Sequence, residues 1–239
     1  MISIIIVNYN VPENTDSLVE YIHENIKIEY KLHVIDNGSD DEFISKYTTT
    51  RLETNRNKMG GLLTGLCMAS RDIPEAYWTI STNMQLIPTE LDIGYELLKE
   101  LKSDERIVAV SPYWAGELVE WTHTIFKRKD GCISHKTKQV GPFAMFDSVW
   151  LDSIGWFDPC LTGTWGADFE LKYIAEKQSK IFKIHDLVGY EITKSKVTKL
   201  NRSNTDLSSY QKECNDEMER VMKRKYGENW RDVLGAYDD

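Results

Sequence analysis

A chain of 239 residues with 41% hydrophobic content is long enough to fill one large core. Its formal charge of -9 excludes wholesale docking on a nucleic-acid backbone and leaves only local basic clusters for small anions. Four scattered cysteines, Cys67, Cys132, Cys160 and Cys214, form no CxxC pair, which argues against a disulfide framework or zinc site and for free thiols in a reducing compartment.

Met1 leads directly into the apolar run ISIIIV with no basic n-region, and no apolar run nears the roughly 18 residues of a membrane span. A cytoplasmic location without a transmembrane segment is therefore expected. Ile2–Val7 is short, continuous and β-branched, as in a strand buried on both faces of a parallel sheet. Leu18, Tyr21, Ile22 and Ile26 then recur at helical spacing, with Asn14 or Thr15 as the expected cap, and Lys31–Ile35 is a second strand. The alternation continues with a weak strand near 52–54, a helix over 61–70, the strand Tyr77–Ile80, a helix carrying Ile93, Leu97, Leu98 and Leu101, and the strand Ile107–Val110.

After Pro112 the rhythm changes. Segments 124–129 and 132–135 flank Asp130-Gly131, a two-residue hairpin turn, so a small antiparallel insertion is predicted. A strand over 142–146, a short helix over 147–154 and a late strand over 180–184 follow. The tail carries Leu207, Tyr210, Cys214, Met218, Val221, Met222 and Tyr226 on one helical face, fit to dock on its own domain or to form a homodimer contact. The expected organisation is a domain over 1–192, then a basic segment and amphipathic helix over 193–239.

In an open α/β sheet, ligands sit beyond the carboxyl ends of the strands. Four such tips are polar: VNYN (7–10), IDNGSDD (35–41), TISTNMQLIP (79–88) and, before a helix, NRNKMGG (55–61). Asp36 can hydrogen-bond a ribose or base edge, or can cap its own turn as an Asx motif. The paired glycines Gly60 and Gly61 permit close backbone approach at a helix start that favours an anion, although neither GxxxxGK[ST] nor GxGxxG is present. In TGTWGADFEL (162–171), Asp168 and Glu170 stand two apart at a helix start; one can face a ligand while the other orients a neighbour, or both complement the helix dipole.

Taken in order, VNYN, VIDNGSDDE, NRNKMGG, STNMQLIP, GPFAMF, IGWFDP and WGADFEL resemble the family 2 nucleotide-sugar glycosyltransferases of GT-A fold, over roughly residues 2 to 192. The resemblance implies an α/β fold with a mixed, mostly parallel sheet, and a transferase moving a hexose from a uridine diphosphate sugar to a hydroxyl of a glycan or other acceptor. It implies that Val7, Tyr9, Asp36 and Asn57 surround base and ribose, and that Asp168 is the general base of an inverting displacement, with Glu170 in support. IGWFDP is similar to the family's GGFDE segment, with Trp156 at the second glycine, to stack on a sugar or pack beneath the site.

STNMQLIP falls where the family carries its metal-binding DxD, and Ser81 and Asn83 take the two acidic positions. Neutral oxygens hold a divalent ion poorly. The family's late histidine position holds Glu191, and nearby His185 reads as structural. Two expectations follow: a metal-free site in which Lys194, Lys196, Lys199 and Arg202 close over the leaving group, or a weak Mn2+ or Mg2+ site using Asn83 with Glu191 or Asp168. A degenerate fold that binds nucleotide or glycan without transfer is the alternative. A nucleotidyltransferase is disfavoured, because its metal-binding carboxylates and basic phosphate loop are missing.

Overall fold

The computed structural model describes residues 1–114, 143–192 and 207–235, together with the two short strands at 125–127 and 133–135. β1 (Ile2–Asn8) sends Ile5 to one side of the sheet and Ile2, Ile4 and Ile6 to the other, all of them fully buried. The chain returns through α1 (Pro12–Asn25) to β2 (Tyr30–Asp36), parallel to β1 from Ile2↔Tyr30 to Asn8↔Asp36. α1 begins at Pro12, a residue suited to the first helical position, so Asn14 and Thr15 lie inside the helix rather than capping it.

β3 (Thr50–Arg51) precedes α2 (Asn57–Ala69), β4 (Ala76–Ser81), β5 (Met84–Leu86), α3 (Ile93–Leu101) and β6 (Ile107–Trp114). The predicted antiparallel insertion is present as β7 (Ile125–Lys127) paired with β8 (Ile133–His135). β9 (Met145–Asp147), α4 (Ser148–Ser153), α5 (Ala167–Lys177) and β10 (Ile181–Ile192) complete the sheet, and α6 (Leu207–Tyr226) and α7 (Trp230–Leu234) follow. The strand order is β3-β2-β1-β4-β9-β6-β10-β5, parallel through β4, with β9 antiparallel to both its neighbours and β5 antiparallel to β10.

Helices cover both faces. Leu18, Val19 and Ile22 of α1 and Ile93, Leu97 and Leu101 of α3 pack on one, and α2, α4, α5, α6 and α7 on the other. Met218, Val221 and Met222 of α6 are buried in that second core, so the amphipathic face predicted for the tail lies on its own domain. β10 outruns its predicted span because a bulge between His185 and Gly189 breaks the pattern; the buried His185 ring accepts the amide N–H groups of Leu187 and Val188 through Nδ1, each at 3.1 Å. Burial lowers the His185 pKa, in keeping with a neutral acceptor ring.

Candidate functional site

The carboxyl ends of β1, β2 and β4 converge, and a cavity of about 360 Å³ opens there, within the range of small-ligand sites. Val7, Tyr9 and Val11 line it from β1, Asn37 from β2, and Ile80, Ser81, Thr82 and Asn83 from β4. Asn55, Asn57, Lys58 and Leu62 contribute from around the start of α2. Phe143, Thr162 and Gly163 add further wall, and α6 supplies Tyr210, Glu213, Cys214 and Glu217.

Two amide networks hold this rim. Asn8, fully buried, donates through Nδ2 to Asp36 Oδ1 at 2.9 Å and to the Phe43 carbonyl at 3.0 Å, and its Oδ1 accepts from Thr15 Oγ1 and the Val11 N–H. Asn37 donates to Asn55 Oδ1 and to the Asn57 carbonyl and accepts from the Arg56 N–H, tying the β2 tip to α2. Gly61 lets α2 come this close, since a Cβ there would stand 2.6 Å from Val7 Cγ1.

The predicted residues divide between the cavity and its supports. Val7, Tyr9, Asn57, Ser81 and Asn83 line it together. Asp36 does not: it is wholly buried, accepts from the Ser39 N–H and from Asn8, and lies 3.6 Å from Arg51 Nε. The neighbouring Asn37 reaches the cavity instead. Gly60 faces the Arg56 side chain rather than the cavity. Trp156 sits at φ 70°, in the left-handed region that glycine suits, packs against the core and donates through Nε1 to Asp152 at 2.6 Å.

Glu170 is buried, accepts from Tyr226 Oη at 2.6 Å and pairs with Lys225. Lys225 also reaches Asp158 at 2.9 Å; burial works against this charge, but the two carboxylates hold the ammonium above its usual range. These contacts brace α6 against α5. Gly166, at φ 83°, begins α5 beneath Met218 and Met222, and Asp168 stands half-buried in the first turn. Desolvation pushes the Asp168 carboxyl up to about 6, against the pull of the backbone N–H groups of Asp168, Phe169 and Gly166. The side chain is not part of the cavity wall.

Residues not singled out by the sequence reading complete the wall. Glu217 accepts from Thr162 Oγ1 at 2.7 Å and from the Gly163 N–H, while the Thr162 carbonyl accepts the Met59 N–H at 3.0 Å, so α6, the 162–163 loop and α2 are joined. Lys58 places Nζ 4.3 Å from the centre of the Phe143 ring, and desolvation lowers its pKa to about 8. The backbone of Glu191 pairs with Gln85 beside the β4 tip, whereas Lys194, Lys196, Lys199 and Arg202 lie outside the described residues.

No family model and no curated protein matches the sequence. The structure is similar to GalNAc-T7 with UDP, GalNAc and Mn2+, at TM-score 0.64 and 12% identity, covering 100% of this chain and 55% of that one. It is also similar to the mannosyltransferase PcManGT from Pyrobaculum calidifontis in complex with GDP-Man and Mn2+, at TM-score 0.58 and 14% identity, covering 98% of this chain and 73% of that one. The chain thus spans about half the length of the first of these. Both neighbours hold Mn2+, but the described residues here do not fit such an ion. The β4 tip offers the neutral oxygens of Ser81, Thr82 and Asn83, and among the described residues no three acidic, histidine or cysteine side chains converge. The architecture, a mostly parallel sheet flanked by helices with a C-terminal helix laid across it, is that of the GT-A glycosyltransferases.

Proposed function

We propose that this protein is a glycosyltransferase of the family 2 type that moves a hexose from a uridine diphosphate sugar to an acceptor hydroxyl with inversion. The observation that carries the reading is the cavity itself: uncharged polar groups from three strand tips, with Asn57 and the cation Lys58 from the first turn of α2, meet at the crossover point of a GT-A sheet. Val7, Tyr9, Asn37 and Asn57 form the base and ribose wall, with Asp36 and Asn8 fixing the backbone behind it. Ser81 and Asn83 face the diphosphate side.

Asp168 is the general base. With its carboxyl near 6 it is ionised at neutral pH and basic enough to take the acceptor proton as the hydroxyl oxygen bonds to the anomeric carbon. The bond from that carbon to the donor phosphate oxygen breaks, and the diphosphate leaves on the opposite face, which inverts the centre. Lys194, Lys196, Lys199 and Arg202 serve the leaving group in this scheme. A second reading is favoured by the absence of Asp168 from the cavity wall: a GT-A fold that binds nucleotide or glycan without turnover.

Thermal shift of the whole chain with uridine diphosphate, guanosine diphosphate and uridine diphosphate sugars, each in chelator and in Mn2+, tests the proposal. Stabilisation by uridine diphosphate in chelator is expected. A strict Mn2+ requirement overturns the metal-independent form and points to Asn83 with Glu191. No shift with any nucleotide overturns the donor reading, and binding without transfer selects the non-catalytic one.

A further inference from the structure

Among the described residues lining the cavity, Lys58 is the lone cation, and neither acid of the wall is its partner. Glu217 is spent on Thr162 and Gly163, and Glu213 is exposed on the α6 side. The ammonium lies instead against the face of Phe143, itself a cavity residue, and among the described residues no carboxylate pairs with it. Lys58 is half-buried on the cavity wall; an ammonium partly withdrawn from water without a paired carboxylate is under-compensated, and a ring face makes up only part of the loss.

Resting on the donor reading above, we propose that Lys58 is the counter-charge for the donor diphosphate, standing in this chain for the cation that the neutral β4 tip cannot hold. Three features of the cavity agree on an anion of this kind. The Nζ sits on the wall between the amide rim of α2 and Phe143, the same wall carries the neutral Ser81, Thr82 and Asn83, and α2 turns its N-terminal end to the cavity. Desolvation lowers the lysine's pKa to about 8, leaving it mainly protonated at neutral pH and giving an incoming phosphate oxygen a strong incentive to pair.

Calorimetric titration of the whole chain with uridine and with uridine diphosphate, in chelator, separates the charge from the nucleoside. Wild type is expected to prefer the diphosphate. Lys58→Met keeps the stem and removes the charge, and it should weaken uridine diphosphate about 10- to 100-fold while leaving uridine within about 2-fold. Lys58→Arg should recover most of the loss. Unchanged diphosphate affinity in Lys58→Met overturns the inference, and so does an equal loss for uridine and the diphosphate. Wild type silent toward both ligands overturns the donor reading itself, and this inference with it.

Discussion

Replacing Asp168 with Asn should make the protein more stable and less active at the same time. The carboxyl titrates near 6 in the fold against a reference of 3.8 because burial disfavours its charge. A difference of about 2 units corresponds to about 3 kcal/mol. With the folded value raised, the stabilising contribution of the protonated acid is complete below pH 3.8 and is lost as pH rises through about 6. Asn carries no charge to desolvate, so Asp168→Asn should gain about 3 kcal/mol over wild type at pH 7.5 and only about 1 kcal/mol at pH 4.5, by the same linkage relation. Urea denaturation at the two pH values measures the gain, and the midpoint of thermal unfolding at pH 7.5 should rise by about 5 to 10 °C. Transfer should fall by about 10² to 10⁴ if the carboxylate is the base. A gain that is the same at both pH values, or a loss at pH 7.5, refutes the desolvation argument; wild-type transfer by the Asn variant refutes the role.

Wild-type transfer should rise with pH through about 6 and then level off, as the Asp168 carboxyl ionises, a profile readable in initial rates. Gly61→Ala should lose about 1 to 3 kcal/mol in urea titration and weaken nucleotide binding, because its Cβ would press on Val7 Cγ1. Ile73 holds φ 50° with its side chain 89% exposed, so Ile73→Gly should gain about 0.5 to 1 kcal/mol by releasing strain without losing packing. Glu170→Gln leaves Lys225 with Asp158 alone and removes the charged acceptor of Tyr226 within the α5–α6 brace, and it should lower stability by about 1 to 3 kcal/mol while leaving the transfer rate at saturating donor within about threefold; a large rate loss with unchanged stability would return Glu170 to the chemistry.

Much of the sheet could be read from hydrophobic runs, because β1 and β4 are almost wholly buried and β2 and β6 each carry a buried apolar stretch, Val34–Ile35 and Ile107–Val110. β5 could not, since three residues with exposed Gln85 between buried Met84 and Leu86 carry too short a pattern. The full length of β10 could not either, because exposed Asp186 and Leu187 fall within its bulge. The cavity's strand tips were legible as polar clusters after apolar runs. Asp36 could not be separated from Asn37 in this way, for adjacent residues on a tip face opposite sides and only the fold says which side is open. Lys58 lay inside a stretch noted for its glycines, and its signal was a lysine beside the fully buried Met59 at a helix start. The α6 wall is a long-range contact between 162–163 and 210–217, for which local periodicity carries no information.

The hold of Glu217 on Thr162 and Gly163 also bears on when the cavity comes into being. Every strand that forms the floor leaves the ribosome before α6 does, so a nascent chain can lay down the sheet while its ligand cavity still lacks a side. Affinity for ligand would then arrive late in translation and abruptly, with the emergence of the helix that bears Tyr210, Glu213, Cys214 and Glu217.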